Sequence, residues 1–94
     1  MNNKELTGTK FQLLVWKEIS KIPYGETRTY KDLAIAIGKS NSSRAVANAC
    51  GKNPYPVVIP CHRVVRSDGK IGGYSGVGGE KKKKELLRLE NAKF

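Results

Sequence analysis

Pro60-Cys61-His62-Arg63, reached through the apolar run Val57-Val58-Ile59, sets a thiol directly beside the only histidine of the chain. A thiol attacks as its thiolate, and an unassisted cysteine with a pKa of ~8.5 is only slightly ionised at neutral pH. Here the imidazole offers a base and Arg63 a cation, two aids that a weak nucleophile needs. Neighbours on a regular strand point to opposite faces. Pro60 therefore matters, because it ends the strand expected at 57–59 and lets a turn aim both side chains into one pocket. The bland alternative is a buried structural cysteine next to a surface histidine, and the rest of the chain has to weigh against it.

Ninety-four residues make one domain with a single core, and a hydrophobic content of 38% can fill it. Lys and Arg number 18 against 8 Asp and Glu, a formal charge of +10. That balance suits a polyanionic partner, DNA or RNA ahead of a membrane surface, and on charge alone it suits a solvated lysine-rich surface about equally. No apolar run approaches the ~20 residues of a membrane span and no signal peptide opens the chain, so an intracellular protein without membrane association is expected. Cys50 and Cys61 are expected as free thiols. One His and two Cys without CxxC spacing make no zinc set, which argues against a zinc finger, zinc-deaminase chemistry or any metal site.

The elements that must position these groups are mostly helical. Residues 1–8 are polar and expected to be flexible, leaving one domain over 9–94. Thr9 with Gln12 reads as a capping box, and Phe11, Val15, Ile19 and Ile22 follow at helical spacing, with Leu14 and Trp16 widening the buried stripe. Pro23 and Gly25 stop that helix. Thr29 with Asp32 opens a second helix carrying Leu33, Ala34 and Ile37, closed by Gly38. A third runs from about Ser42 to Cys50 and stops at Gly51, giving two short helices across a tight turn, a helix-turn-helix arrangement.

That third helix is slim, with Ala45, Ala47 and Ala49, and Arg44 projects from its first turn beside Ser42, Ser43 and Asn48. A conventional recognition helix reads the major groove with several long polar side chains. A slim helix with one long cation suits the minor groove, ~6 Å wide, or insertion into a base stack. The alanines equally suit tight packing in a small core.

Asn53-Pro54-Tyr55-Pro56 is a stiff connector into the apolar run. Beyond Arg63, Val64 and Val65 lead to the turn Ser67-Asp68-Gly69, answered by Ile71, a short hairpin. Residues 72–79 hold Tyr74 and Ser75 among glycines, which suits either a flexible linker or a lid over a planar ligand. Lys81 to Lys84 open a last helix whose Leu86, Leu87 and Leu89 supply its buried side, the lysines forming a solvated, phosphate-tolerant face.

Taken in order, Tyr24-Gly25-Glu26 with Thr29-Tyr30, Ser43-Arg44-Ala45-Val46, Asn53-Pro54, Ile59-Pro60-Cys61-His62-Arg63-Val64-Val65 and Gly73-Tyr74-Ser75-Gly76 closely resemble the DNA-binding and catalytic domain of the O6-alkylguanine-DNA alkyltransferases. The resemblance covers about residues 9–91. It implies a mainly α fold with a short β-hairpin, a winged helix-turn-helix domain, lacking the additional N-terminal domain usual in the family. It implies irreversible, stoichiometric transfer of an alkyl group from O6 of guanine in double-stranded DNA to the protein, acting as a monomer with no cofactor. Residue by residue, Cys61 matches the alkyl acceptor, His62 the base that deprotonates it through a water, and Glu90 the carboxylate orienting that histidine. Tyr30 matches the residue that turns the target phosphate and protonates the leaving guanine, and Asn53 the organiser of the reactive turn. Arg44 matches the finger that fills the stack, with Ser43 and Asn48 beside it on the DNA side. Tyr74, Ser75 and Pro56 match the substrate pocket. Chemistry on a guanine oxygen inside a duplex requires flipping the base out, so a filler and a lid make physical sense. The alkyltransferase-like proteins, similar in length, carry Trp where Cys61 stands and flag the lesion without removing it. A lesion sensor with an ineffective Cys61, and an ordinary helix-turn-helix regulator with a structural one, are the competing expectations.

Overall fold

The computed structural model describes residues 7–55, 57–72, 74 and 78–92. Four helices and two very short strands follow in the order α1 (Lys10–Ile19), β1 (Arg28–Thr29), α2 (Tyr30–Ala36), α3 (Ser43–Gly51), a 3₁₀ turn (Cys61–Arg63), β2 (Val64–Val65) and α4 (Gly79–Leu89). The capping box expected at Thr9 forms, and the start of the second helix carries another. The Gln12 amide donates to Thr9 Oγ1 while Thr9 N–H donates to Gln12 Oε1, both at 3.0 Å. Thr29 and Asp32 make the same reciprocal pair at 2.9 and 3.0 Å. Each cap satisfies amides that the first helical turn leaves orphaned, worth ~1 kcal/mol.

The apolar spacing of α1 buries Val15, Trp16 and Ile19, joined by Ile22 beyond its end, against Leu33 and Ala34 of α2 and Val46, Ala49 and Cys50 of α3. Trp16 crosses this core and its indole Nε1 donates to the Ala49 carbonyl at 2.9 Å, pinning α1 to α3. A smaller cluster of Val65, Ile71 and Leu87, with Ala92 against it, seats α4. Gly38 after α2 and Asn91 after α4 take positive φ of 77° and 55°, the left-handed backbone that ends helices.

Several expectations change. The strands do not form a hairpin: β1 and β2 pair in parallel, Arg28 opposite Val64 and Thr29 opposite Val65. The turn at Ser67–Gly69 does close, with Arg66 N–H donating to the Lys70 carbonyl at 3.0 Å, but Ile71 goes to the core instead of a ladder. Residues 57–59 are no strand. Val57 and Val58 sit in a turn, 53% and 80% exposed, and Val57 has φ 76°. A β-branched residue in that region is strained by ~1–3 kcal/mol, stored two residues before Ile59 enters the core. Leu14 and Leu89 turn outward at 43% and 62% exposure, because each falls just off the buried stripe of its helix. Among the described residues no helix is long and apolar enough to cross a membrane.

Candidate active site

Pro60 precedes the 3₁₀ turn, which is closed by Cys61 N–H to the Ile59 carbonyl at 2.7 Å and Arg63 N–H to the Pro60 carbonyl at 2.9 Å. Asn53 braces this turn from behind. Its buried Nδ2 donates to the Ile59 carbonyl at 2.8 Å and its Oδ1 accepts the Tyr55 amide at 2.9 Å. One side chain thus ties the end of α3 to the residue two before the thiol. Cys61 and Cys50 are free thiols, both buried.

His62 is almost wholly buried, and its Nε2 lies 2.7 Å from Glu90 Oε2. Burial pulls the Glu90 carboxyl up, but hydrogen bonds from Arg63, His62 and the Gly25 amide outweigh it and bring the pKa down to about 2. Glu90 is therefore a carboxylate and can only accept, so Nε2 must carry the hydrogen of this contact. In the neutral ring that leaves the lone pair on Nδ1, which is buried and has no hydrogen-bond partner among the described residues. A buried basic nitrogen next in chain to a buried thiol is an arrangement that can take a proton, directly or through one water.

Tyr30 opens α2 half-buried and forms one wall of a groove of about 690 Å³, with Ser43, Arg44 and Ala47 of α3 and Arg66, Ser67, Asp68, Lys70 and Gly72 opposite. Burial, then the nearby Cys50 and Cys61, push the Tyr30 phenol up to about 12, so it stands as a hydrogen-bond donor. Arg44 and Asn48 are exposed; Asn48 lies outside the groove lining. Of the three alanines only Ala49 enters the core, and Ala45 faces solvent, so packing alone does not account for the slimness of α3. Tyr74 packs on the main core, and burial together with Cys61 raises its phenol. Ser75 and Pro56 lie outside the described residues.

Residues 10–92 match the family described as 6-O-methylguanine DNA methyltransferase, DNA binding domain. The chain belongs to this methyltransferase family. It is 54% identical over 83 residues to the methylated-DNA–protein-cysteine methyltransferase of Methanosarcina barkeri, covering 88% of this chain and 51% of that protein. The crystal structure of Mycobacterium tuberculosis OGT in complex with DNA superposes with a TM-score of 0.88 at 48% identity, over 93% of this chain and 53% of that one. S. pombe Atl1, crystallised with damaged DNA containing O6-carboxymethylguanine, superposes with a TM-score of 0.77 at 30% identity, over 94% of this chain and 82% of that one. The chain thus spans about half the length of the curated methyltransferase relatives it matches.

Within this methyltransferase domain, two residues lie where sequence reasoning did not put them. Arg63 does not serve the thiol; its guanidinium grips Glu90 and the Ile22 carbonyl. Lys83, expected on a solvated face, is fully buried with its Nζ 5.8 Å from the centre of the Tyr30 ring. Burial lowers its pKa to about 8, against the opposing pull of Cys50, Cys61 and Glu80. The signal was available: Lys83, Leu87 and Glu90 recur at i, i+4 and i+7, one face of α4.

Proposed function

We propose that the chain repairs O6-alkylguanine in double-stranded DNA by moving the alkyl group, irreversibly and once per molecule, onto Cys61. The buried His62–Glu90 contact at 2.7 Å, which leaves the lone pair on a buried Nδ1 in the residue next in chain to Cys61, is the observation that carries this reading. The Cys61 S–H bond breaks and its proton moves to His62. Sulfur then forms a bond to the alkyl carbon, the carbon–O6 bond breaks, and its electron pair stays on the guanine. The guanine regains neutrality by taking a proton through the Tyr30 hydroxyl, and the proton on His62 returns to solvent. Burial keeps Tyr30 as O–H, so its hydroxyl has a hydrogen to offer the guanine ring.

Reaching O6 requires the nucleotide to leave the stack. The winged helix-turn-helix reading is supported by the groove between α3 and the turn at 66–70, where Tyr30, Ser43 and Arg44 face Arg66 and Lys70. In this reading α3 enters the minor groove, Arg44 fills the gap, and Tyr74, Ser75 and Pro56 contact the flipped base. Asn48 serves the DNA face from outside the groove. Asn53 holds the reactive turn, for which its two backbone contacts are the support.

A lesion-binding protein without transfer is the second reading, favoured by the fit to S. pombe Atl1 over 82% of that chain. Intact-mass measurement after incubation with O6-methylguanine DNA separates the two. One methyl mass on Cys61 is expected; tight lesion binding with no mass gain would favour the second reading.

A further inference from the structure

The Arg63 guanidinium is held on all sides. Its Nε donates to Glu90 Oε1 at 2.9 Å and its Nη2 to Glu90 Oε2 at 3.1 Å, a two-point grip, while Nη1 donates to the Ile22 carbonyl at 2.8 Å. The Tyr24 ring covers it, 5.6 Å from Cζ to the ring centre, and the Tyr24 hydroxyl donates to the Leu89 carbonyl at 3.3 Å. Gly25 N–H adds a second donor to Glu90 Oε1 at 3.3 Å. Gly25 has φ +84°, and a Cβ there would come within 3.2 Å of the Glu90 carbonyl oxygen, so glycine lets this turn close on the end of α4. Exposed ion pairs contribute little. This one is different, with the Arg63 and Glu90 side chains 15% and 8% exposed.

The consequence concerns where a proton stops. Glu90 Oε2 is shared between Arg63 and His62, and the guanidinium does not give up a proton in proteins. A carboxylate already engaged by such a partner is a poor resting place for a second proton. It is also fixed in direction, which a lone carboxylate at a helix end is not.

Building on the transfer reading above, we propose that Arg63, roofed by Tyr24, is a positioning residue that locks Glu90 as a carboxylate aimed at His62 Nε2. The proton leaving the Cys61 thiol then stays on the imidazole, and the ring always presents Nδ1 to the thiol. No proton crosses to Glu90, and Arg63 touches neither thiol nor base; it acts only through the carboxylate.

Because His62 is the only histidine, its ring can be followed alone by ¹⁵N NMR, a readout independent of transfer. Wild type should show one dominant Nε2–H tautomer at neutral pH, and Arg63→Gln a mixture. With free O6-benzylguanine, Arg63→Gln should transfer about tenfold more slowly at neutral pH, the usual scale for losing a partner that orients a reactive group. The deficit should shrink at alkaline pH, where hydroxide supplies the thiolate, and Arg63→Lys should fall between. Arg63→Gln on top of Glu90→Gln should cost no more than about twofold beyond Glu90→Gln alone, because the two act as one unit. An unchanged tautomer in Arg63→Gln, a loss equal at every pH, or a loss that multiplies with that of Glu90→Gln overturns the proposal. If Arg63→Gln does not fold, Tyr24→Leu removes only the roof, at a residue 68% exposed. It should give a smaller loss with the same alkaline recovery, and wild-type behaviour in both measurements would count against the roof and the lock. Absence of any mass gain on wild-type Cys61 would sink the transfer reading itself, while the tautomer comparison would still judge Arg63.

Discussion

Cys50 and Cys61 have the same side chain and almost the same burial, 6% and 4% exposed, but very different neighbours. Cys50 lies in the last turn of α3, packed in the core with Val46 and Ala49. Burial first, then Cys61, push its thiol up to about 12, and the pull of Lys83 does not compensate. Cys61 begins a 3₁₀ turn, and the next residue is an imidazole backed by a carboxylate at 2.7 Å. Burial alone disables a thiol. In the proposed reading, a buried thiol needs a base beside it, itself held by a carboxylate, before it can form a thiolate.

The contrast breaks most visibly at the thiol itself. Cys61→Ser should lower alkyl transfer by at least ~10³-fold, since an alcohol has far too high a pKa for the same base to activate. Affinity for DNA should persist, because the groove residues are untouched. Cys50→Ala should keep transfer within about threefold of wild type while costing ~1 kcal/mol of stability, the ordinary size for a small core deletion. A time course of intact mass for both variants decides the matter, and equal losses would erase the distinction between the two cysteines.

If the reactivity of Cys61 is local, DNA-facing residues should matter only when the base must first be flipped. Arg44→Ala should slow repair of duplex O6-methylguanine by about 10- to 100-fold, part of the few kcal/mol that unstacking costs. Its rate on free O6-benzylguanine should stay near that of wild type. A similar loss on both substrates would mean that Arg44 supports the fold and not the flip.

Much of this was legible in sequence because it is local. The Thr9 and Thr29 caps, the stripe of Val15, Ile19 and Ile22, and the Cys61-His62 pair depend on residues within a few positions of one another. The failures are long-range. Val64 and Val65 read as half of a hairpin, but their partners are Arg28 and Thr29, and parallel pairing leaves no turn signal in the chain. Val57-Val58-Ile59 reads as a strand by composition, yet only Ile59 is buried, its carbonyl is braced by Asn53, and Val57 takes a positive φ. Arg63 looked like a partner for the thiol because adjacency in sequence says nothing about which way a side chain turns. Its real partner is on α4's C-cap. Pro56 and Ser75 carry expectations that rest on the family resemblance alone.

Glu90 belongs only to the Cys61 side of the comparison, and its acid behaviour is a direct check. Its carboxyl titrates at about 2 in the folded chain against an ordinary 4.5. The folded state thus binds fewer protons in that window, so the stabilisation is whole above about 4.5 and is lost as pH falls toward about 2. Urea unfolding of wild type and Glu90→Gln should show a gap near pH 7 that closes on acidification through this window. A gap that stays constant down to acid pH would mean that Glu90 contributes packing and not charge.

The smallest effect separates the electrostatics of the two thiols through Lys83, the buried cation that both of them feel. In the folded chain Lys83 titrates at about 8 against an ordinary 10.5, because burial disfavours its charge. Between those values the folded state holds fewer protons than the unfolded one, so this group makes stability rise with pH. Cys50 does the reverse. Its folded value of about 12 against 9.0 gives a contribution that is whole below 9.0 and is lost as pH climbs. Up to pH 9.0 the lysine acts alone, and above it the two trends oppose each other. Lys83→Met keeps a long apolar side chain in the site, avoiding a cavity, and removes the rising component. Urea unfolding from pH 7.5 to 9 should therefore show wild type gaining on Lys83→Met as pH rises, by at most ~1.4 kcal/mol per pH unit, the limit for one titrating group. In Cys50→Ala, whose falling component is gone, the rise should continue beyond pH 9. Parallel curves for wild type and Lys83→Met would show that Lys83 keeps its proton in the core throughout, stabilised by the thiols and the Tyr30 ring more strongly than burial opposes it.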